Sequence, residues 1–244
     1  MKRNALILGG FGSVGYACAT ILAKNGYDII IVHRGRRAKM TENNRKVLAL
    51  EAYGVKVTDI KANAANKNDI VKVCDQLNGL LINCLVHAIA DGNVGNIFSG
   101  DRILKEDSFL HTFNSMCVSF ATWVQELLTN GILEQESYIF GFTSEGSNKI
   151  FPYYAANGVA KAGLETLCKY MADELAERKI SVNILRAGII DSNAVRVLCN
   201  YEDILKFAER NACRFDTPEN VAKKMMDIMQ DEKFISGQVV DVWE

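Results

Sequence analysis

The chain has 244 residues, and its 28 Lys and Arg against 29 Asp and Glu leave a formal net charge of −1. This balance excludes the basic excess typical of nucleic-acid-binding proteins and of polybasic membrane anchors. Hydrophobic residues make up 49% of the chain and charged residues 23%, which excludes a disordered protein. Because the chain has only 2 prolines and no Gly/Ser-rich linker, we predict one domain over residues 1–244.

The cysteines and the amino terminus indicate the compartment. The 7 cysteines include no CxxC pair, which argues against a zinc knuckle or a thioredoxin-type site and favours buried thiols in a reducing compartment. The apolar run after Met1 stops at Gly9 and is too short for a signal peptide. No apolar run reaches the roughly 18 residues of a membrane span. We therefore predict a cytoplasmic protein without nucleic-acid or membrane partners.

Short apolar segments alternate with longer amphipathic ones along the chain. The predicted strands are Ala5–Leu8, Ile29–His33, Val55–Ile60, Leu81–His87, Tyr138–Thr143, Ser181–Leu185 and Gln238–Val242. The predicted helices cover residues 13–25, 39–53, 67–77, 105–129, 155–178 and 218–230. This alternation predicts an α/β fold, a Rossmann-type doubly wound parallel sheet of seven strands with helices on both faces.

The stretch at about 191–215 interrupts this alternation with an additional helical segment. It carries several apolar residues, among them Val195, Leu198 and Leu205. We predict that it forms a substrate lid over the carboxyl edge of the sheet.

A glycine-rich loop, Gly9–Gly15, follows the first predicted strand and precedes a helix. Glycines allow a tight turn and a close approach of a pyrophosphate to the backbone, and a helix N-terminus stabilises that anion. The order strand, loop, helix, strand therefore predicts a dinucleotide site. We assign Gly9, Ser13, Val14 and Gly15 to it.

The end of the second predicted strand indicates which dinucleotide binds. NAD sites place a carboxylate there for the ribose 2′-hydroxyl, whereas this chain has His33–Arg37 with no carboxylate nearby in sequence. Guanidinium groups bind phosphate well, so Arg34, Arg36 and Arg37 are candidates for contacting a 2′-phosphate. The segment predicts NADPH/NADP in preference to NADH, with a solvated basic turn as the alternative.

The segment Ser144–Gly163 resembles the short-chain dehydrogenase/reductase family, and the glycine loop, Val182-Asn183 and Ala187–Ser192 extend that resemblance over nearly the whole chain. Common members have Tyr-x3-Lys, but Asn157 stands four residues before Lys161 here. Tyr154 precedes Lys161 by seven residues, a Tyr-x6-Lys spacing that is similar to the divergent NADPH-dependent enoyl-acyl carrier protein reductases.

This resemblance implies catalytic roles for Tyr154, Lys161 and Ser144. Seven helical residues at ~100° each return to one face, which predicts that Tyr154 and Lys161 share a helix face and that Tyr153 lies off it. Tyr154 would stabilise an enolate oxygen, Lys161 would hold the nicotinamide ribose, and Ser144 would be a secondary donor. The alternatives are an ordinary helix surface and, for Ser144, a strand-end cap.

The resemblance also implies cofactor contacts from Asn63, Ala64, Ala88, Lys161 and Ile190. Several positions depart from the family pattern: Ser13 replaces a glycine, the fourth predicted strand ends His87–Ala90, and Met116 aligns with a proton-relay asparagine. The three histidines have no metal-ligand spacing, so we assign no metal.

The expected activity is NADPH-dependent reduction of the C=C bond of an α,β-unsaturated acyl thioester or similar enone, in fatty-acid-like or specialised biosynthesis. Two alternatives remain: a carbonyl reductase of the same fold, and an inactive cofactor-binding relative. The expected partners are a small-molecule or carrier-bound acyl substrate and an acyl carrier protein. Arg196, Lys206 and Arg210 could meet the carrier or a phosphopantetheine phosphate, with a solvated basic face as the favoured alternative. The resemblance implies a homodimer or homotetramer that packs through the helices at 105–129 and 155–178.

Overall fold

The computed structural model describes residues 2–35, 37–191 and 201–243. Within these ranges the strands are β1 (Arg3–Leu8), β2 (Tyr27–His33), β3 (Val57–Lys61), β4 (Ile82–His87), β5 (Leu133–Ser144), β6 (Ser181–Ala187), β7 (Ile189–Ile190), β8 (Phe215–Asp216) and β9 (Val239–Asp241). The α-helices are α1 (Ser13–Lys24), α2 (Met40–Glu51), α3 (Lys67–Gln76), α4 (Glu106–Phe113), α5 (Ser119–Thr129), α6 (Ala155–Glu174), α7 (Tyr201–Arg210) and α8 (Pro218–Gln230).

Seven of these strands form one parallel sheet in the order β3-β2-β1-β4-β5-β6-β9. All seven predicted strands and the doubly wound Rossmann-type fold are confirmed. The direction in which strands are added reverses between β1 and β4, and in such sheets a crevice opens at the carboxyl ends of those strands. The predicted functional residues after β1, β2, β4 and β5 therefore meet at one edge.

The sheet is covered on both faces because its central strands are apolar on both sides. In β2, Ile29–Val32 is a continuous buried run. One core cluster packs α3, α5 and α6 against the sheet around Trp123 and Phe120. The other packs α1 and α8 around Leu22 and Met225.

The predicted helix at 105–129 is interrupted, since residues Asn114–Val118 form a π-helical turn between α4 and α5. Serine hydroxyls bond to backbone carbonyls here: Ser115 Oγ donates to Thr112 O at 3.2 Å and Ser119 Oγ to Ser115 O at 2.8 Å. Such bonds compete with regular helical pairing. A π-helical turn contains one more residue than an α-helical turn, and this does not disturb the spacing of hydrophobic residues enough to be noticed. The sequence therefore predicts an unbroken helix.

Two other regions differ from the prediction. Strand β5 begins at Leu133 and carries an irregularity before Tyr138, where Glu136 has a φ of 58°. In the predicted lid, α7 is helical as expected, residues 192–200 lie outside the described residues, and the short β7–β8 pair was not predicted.

The six described cysteines are free thiols and five of them are buried, as expected for small core residues. In the described ranges, no helix is long and apolar enough to span a bilayer.

Candidate active site

The glycine loop after β1 forms a tight turn that only small residues can make. Gly9 has a φ of 78°, and a Cβ placed on it would lie 2.6 Å from the Ala88 carbonyl oxygen. A Cβ on Gly15 would lie 2.5 Å from the Gly9 carbonyl oxygen. These contacts hold the first turn of α1 close to the ends of β1 and β4, and they require glycine at both positions.

The start of α1 fits the anionic part of a dinucleotide. Gly12 occupies the N-cap, and among the described residues no side chain caps this helix and no acidic residue lies in its first turn. Its free N–H groups and positive dipole end therefore point toward the crevice. Ser13 is exposed at this end, while Val14 packs against the core. Contact of a pyrophosphate with Gly9, Ser13, Val14 and Gly15 stays a prediction.

The basic segment after β2 has two carboxylates near it in space, although none lies near it in sequence. Arg34 Nη1 lies 2.7 Å from Asp91 Oδ2, and His33 Nε2 lies 2.7 Å from Asp59 Oδ1. Asp59 belongs to β3 and Asp91 follows β4, so sequence proximity to β2 did not reveal them. Arg36 lies outside the described residues, and of Arg37 only the backbone is described.

The turn after β3 is held by its own hydrogen bonds. Asp69 Oδ2 accepts the backbone N–H of Asn63 at 2.9 Å, and the Ala64 carbonyl accepts the indole N–H of Trp123 at 2.8 Å. Ala64 is buried, so its side chain belongs to the core. A contact with the cofactor from Ala64 would therefore have to come from its backbone.

Ala88 and Ile190 both lie at the carboxyl edge of the sheet. Ala88 N–H donates to the Leu8 carbonyl at 2.9 Å, beside the glycine turn. Ile190 lies in β7, which pairs with β8, and Asp216 Oδ2 of β8 accepts the Gly188 N–H at 2.7 Å. Hydrogen bonds and strand pairing thus hold both segments at this edge, and their contact with a cofactor stays a prediction.

Tyr154 and Ser144 are brought together beside the end of β5. The two hydroxyl oxygens are 3.2 Å apart. The Tyr154 ring lies against Gly146, where a Cβ would come within 2.6 Å of the ring. Burial raises the pKa of Tyr154, and the hydrogen bond with Ser144 partly offsets this. The phenol therefore stays protonated near neutral pH and can act as a hydrogen-bond donor.

The helix-face argument does not apply to Tyr154, because Tyr154 precedes the first residue of the helix. Tyr154 is the N-cap residue, with φ of −101° and ψ of 7°, and α6 begins at Ala155. The direction of its side chain comes from this cap and from Ser144, and helical periodicity does not set it. The preceding residue, Tyr153, has a φ of 61° and is 44% exposed. Of the two tyrosines, it is therefore Tyr154 whose hydroxyl lies beside Ser144.

Lys161 is buried on α6, and its Nζ donates to the Phe142 carbonyl at 2.7 Å. Phe142 and Ser144 are two residues apart in β5, a separation of about 6–7 Å along a strand. The contacts of Lys161 and Tyr154 are thus neighbours on one strand. Burial lowers the pKa of Lys161 to about 8, which Cys117 and Glu165 partly oppose.

Asn157 occupies the position where common family members carry their tyrosine, and here it makes structural contacts. It is buried, its Nδ2 donates to the Asn93 carbonyl at 2.8 Å, and its Oδ1 lies against Gly92. It ties α6 to the loop after β4. Met116, at the aligned proton-relay position, is buried with its Cε beside Gly92. Neither side chain is placed to donate a proton.

Several residues at this edge escaped the sequence analysis: Asp59, Asp91, Glu145 and Glu165. Glu145 is a buried carboxylate that accepts the Arg214 N–H at 3.2 Å and pairs with Lys149. Glu165 accepts from the Thr143 hydroxyl at 2.7 Å. The Glu165 position, four residues after Lys161, is a helical spacing that could have indicated it.

An aromatic row connects the predicted lid to Tyr154. The ring centroids of Phe207 on α7 and Phe151 are 4.9 Å apart, and those of Phe151 and Tyr154 are 6.0 Å apart. A displacement of α7 would therefore change the packing of Tyr154. Within the described residues, no group of three or more His, Cys, Asp or Glu side chains could hold a metal ion.

Comparisons with known proteins identify the family of the chain. A family model described as enoyl-(acyl carrier protein) reductase matches residues 10–242. The enoyl-[acyl-carrier-protein] reductase [NADH] of Enterococcus faecalis is 28% identical over 99% of this chain and 94% of its own length. The 3-oxoacyl-[acyl-carrier-protein] reductase of Staphylococcus epidermidis is 24% identical over 99% and 98%.

A solved structure shares the fold. The short-chain dehydrogenase of Burkholderia cenocepacia in complex with NADP superposes with a TM-score of 0.84 at 21% identity, covering 98% of this chain and 95% of that chain. The match of a family model to almost the whole chain goes further than this similarity of fold. The chain is therefore a short-chain dehydrogenase/reductase and belongs to the enoyl-(acyl carrier protein) reductase family.

Proposed function

We propose that the protein uses NADPH to reduce the C=C bond of an α,β-unsaturated acyl thioester or similar enone. The observation that carries this proposal is the position of the Tyr154 hydroxyl, 3.2 Å from Ser144 Oγ at the carboxyl end of β5. Asn157, which replaces the tyrosine of carbonyl-reducing members, is buried and bonded to Asn93. Among the described residues, Tyr154 is the phenol available at this edge.

A bound nicotinamide would supply the hydride for the β-carbon of the substrate, and a proton taken up from solvent at the α-carbon would complete the reduction. As negative charge develops on the thioester carbonyl oxygen, the Tyr154 hydroxyl donates a hydrogen bond to that oxygen. Ser144 fixes the orientation of the phenol. The ammonium of Lys161, buried and protonated below about pH 8, adds positive charge on the same side and would hold the ribose hydroxyls. Burial of the site strengthens each of these electrostatic effects.

NADPH is the proposed cofactor because Arg34 lies at the end of β2, where a 2′-phosphate would sit, and Arg36 and Arg37 follow it. The Burkholderia cenocepacia enzyme contains NADP, whereas the Enterococcus faecalis relative is named for NADH. Titration of both coenzymes by fluorescence would decide this point. Weaker binding of NADPH than of NADH would contradict the proposed preference.

The reaction is tested with two matched substrates. Oxidation of NADPH should be faster with crotonyl thioester than with acetoacetyl thioester, each offered on coenzyme A and on acyl carrier protein. Faster reduction of the keto substrate would overturn the C=C assignment. Carbonyl reduction is the second candidate because the paired hydroxyls of Ser144 and Tyr154 could also protonate an alkoxide.

For partners, we propose an acyl carrier protein and a second copy of the chain. Lys206 and Arg210 are exposed on α7 and could meet an acidic carrier, while Arg196 lies outside the described residues. Leu110, Val118 and Val159 expose apolar surface on the helices expected to pack between subunits. Light scattering should show a homodimer or homotetramer, and a monomer at micromolar concentration would contradict this assembly.

A further inference from the structure

An ion pair joins the end of β2 to the loop after β4. Arg34 Nη1 lies 2.7 Å from Asp91 Oδ2, and His111 Nε2 approaches the same oxygen at 3.4 Å. The Arg34 side chain is 46% exposed and that of Asp91 is 27% exposed. Solvent therefore reaches both groups, and another anion could replace the carboxylate.

The pair spans the crevice in which the dinucleotide is proposed to bind. In the sheet, β1 lies between β2 and β4. The three strand ends are fastened together, because Gly9 N–H donates to Val32 O at 2.8 Å and Ala88 N–H donates to Leu8 O at 2.9 Å. Arg34 comes two residues after Val32 and Asp91 three after Ala88, so their contact bridges the end of β1 beside the glycine turn.

Asp91 is held at this position by its own loop. The hydroxyl of Ser115 donates to the Asp91 carbonyl, and Thr112 Oγ1 accepts the Asn93 N–H at 2.9 Å. On the other side, Gly35 N–H donates to His33 Nδ1 at 3.0 Å, which fixes the backbone beside Arg34. The carboxylate therefore stays beside the guanidinium and does not need to reorganise in order to compete for it.

We propose that Asp91 is a specificity-determining residue that competes with the cofactor 2′-phosphate for Arg34 and thereby reduces the preference for NADPH over NADH. This inference rests on the proposed NADPH-dependent function. A phosphate must take the same guanidinium N–H donors from Asp91 and approaches a like charge as it does so. NADH carries a hydroxyl at this position and does not need the Arg34 charge, so its affinity is insensitive to the competition.

The test compares Asp91→Asn with Asp101→Asn, which removes an exposed carboxylate from the same loop. Calorimetric titration with NADPH, NADH, 2′,5′-ADP and 5′-ADP measures binding without turnover. In Asp91→Asn we expect NADPH and 2′,5′-ADP to bind about two- to fivefold more tightly, the range of an exposed ion pair. NADH and 5′-ADP should change by less than about 1.5-fold, and Asp101→Asn should change nothing by more than this factor.

The Arg34→Gln variant tests the Arg34–Asp91 ion pair independently. It should weaken binding of 2′,5′-ADP, and adding Asp91→Asn to it should no longer tighten that binding. Equal ratios of NADPH to NADH affinity in the wild type and in Asp91→Asn would overturn the inference while leaving the proposed function intact. Failure of the wild-type protein to bind either coenzyme would instead remove the proposed function on which the inference rests.

Discussion

The glycine turn after β1 and the tyrosine–lysine site beside β5 lie at the same edge of the sheet, but different interactions shape them. Backbone sterics determine the glycine turn: Gly9 adopts a φ of 78° with the Ala88 carbonyl directly beside it. Side-chain contacts between separate elements determine the second site, where Tyr154 meets Ser144 and Lys161 meets the Phe142 carbonyl. The first is a glycine turn within one segment that the end of β4 packs against, and the second is assembled by β5 and α6.

The two sites should therefore respond differently to substitution. An additional Cβ in the glycine turn meets backbone atoms that cannot move away, so stability and cofactor binding should fail together. Loss of one hydroxyl at the β5 site should leave the fold intact, because the site lies at the carboxyl ends of strands whose pairing does not depend on that hydroxyl. The value of kcat should then fall while the free energy of unfolding stays nearly constant. Pairs of variants can test whether substitutions at the two sites have these different effects on stability and activity.

The largest expected effect is that of Tyr154→Phe. Removing the donor to a developing oxyanion should lower kcat by about 10²–10³ and leave the melting temperature almost unchanged. Tyr153→Phe is the matched control, because Tyr153 is exposed and has a backbone φ of 61°. Steady-state kinetics on both variants measure the contrast. Equal losses in the two variants would show that Tyr154 has been wrongly selected.

Gly9→Ala should mainly affect stability. A left-handed backbone costs a non-glycine residue about 1–2 kcal/mol, and the clash with Ala88 adds a further ~1–2 kcal/mol. Gly26→Ala is the control, since Gly26 has a φ of 79° but no atom within 4 Å of the added Cβ. Urea denaturation should therefore show a greater loss of unfolding free energy for Gly9→Ala. Identical losses would mean that the turn is not sterically determined.

The activity should also depend on pH through Lys161, whose pKa burial lowers to about 8. The lysine is protonated below that pH, and the reaction needs its positive charge. The value of kcat/KM should thus be level below about pH 8 and should fall roughly tenfold per pH unit above it. Lys161→Arg keeps the charge and should abolish this alkaline decline, even where it lowers the rate. Persistence of the decline in this variant would assign it to another group.

The smallest expected effect is that of Ser144→Ala. Its hydroxyl orients the Tyr154 phenol through one neutral hydrogen bond, so its loss should lower kcat about two- to tenfold with little change in KM. A loss as large as that of Tyr154→Phe would instead make Ser144 a principal donor to the substrate.

The sequence predicted the strands well and the site less completely. Strands such as Ile29–His33 were predictable because burial on both faces leaves an unbroken β-branched run. The π-helical turn at Asn114–Val118 was not, because serine bonds to the backbone leave no trace in hydrophobic periodicity. Helical periodicity also could not position Tyr154, because this residue lies before the first turn of α6. Asp59 and Asp91 were missed because they belong to β3 and to the loop after β4, which are separated in sequence from the basic segment that they contact.

The sequence by itself therefore determined the doubly wound fold and the glycine turn, and it predicted Tyr154 and Lys161 as the catalytic pair. These properties depend on hydrophobic pattern, on local sterics and on residue spacing, all of which can be read along one segment. Only the tertiary structure decided that Tyr154 meets Ser144, that Asn157 holds the loop after β4, and that Arg34 already has an anionic partner in Asp91. Those contacts join residues far apart in the chain, because a parallel sheet gathers the ends of separate strands at one edge.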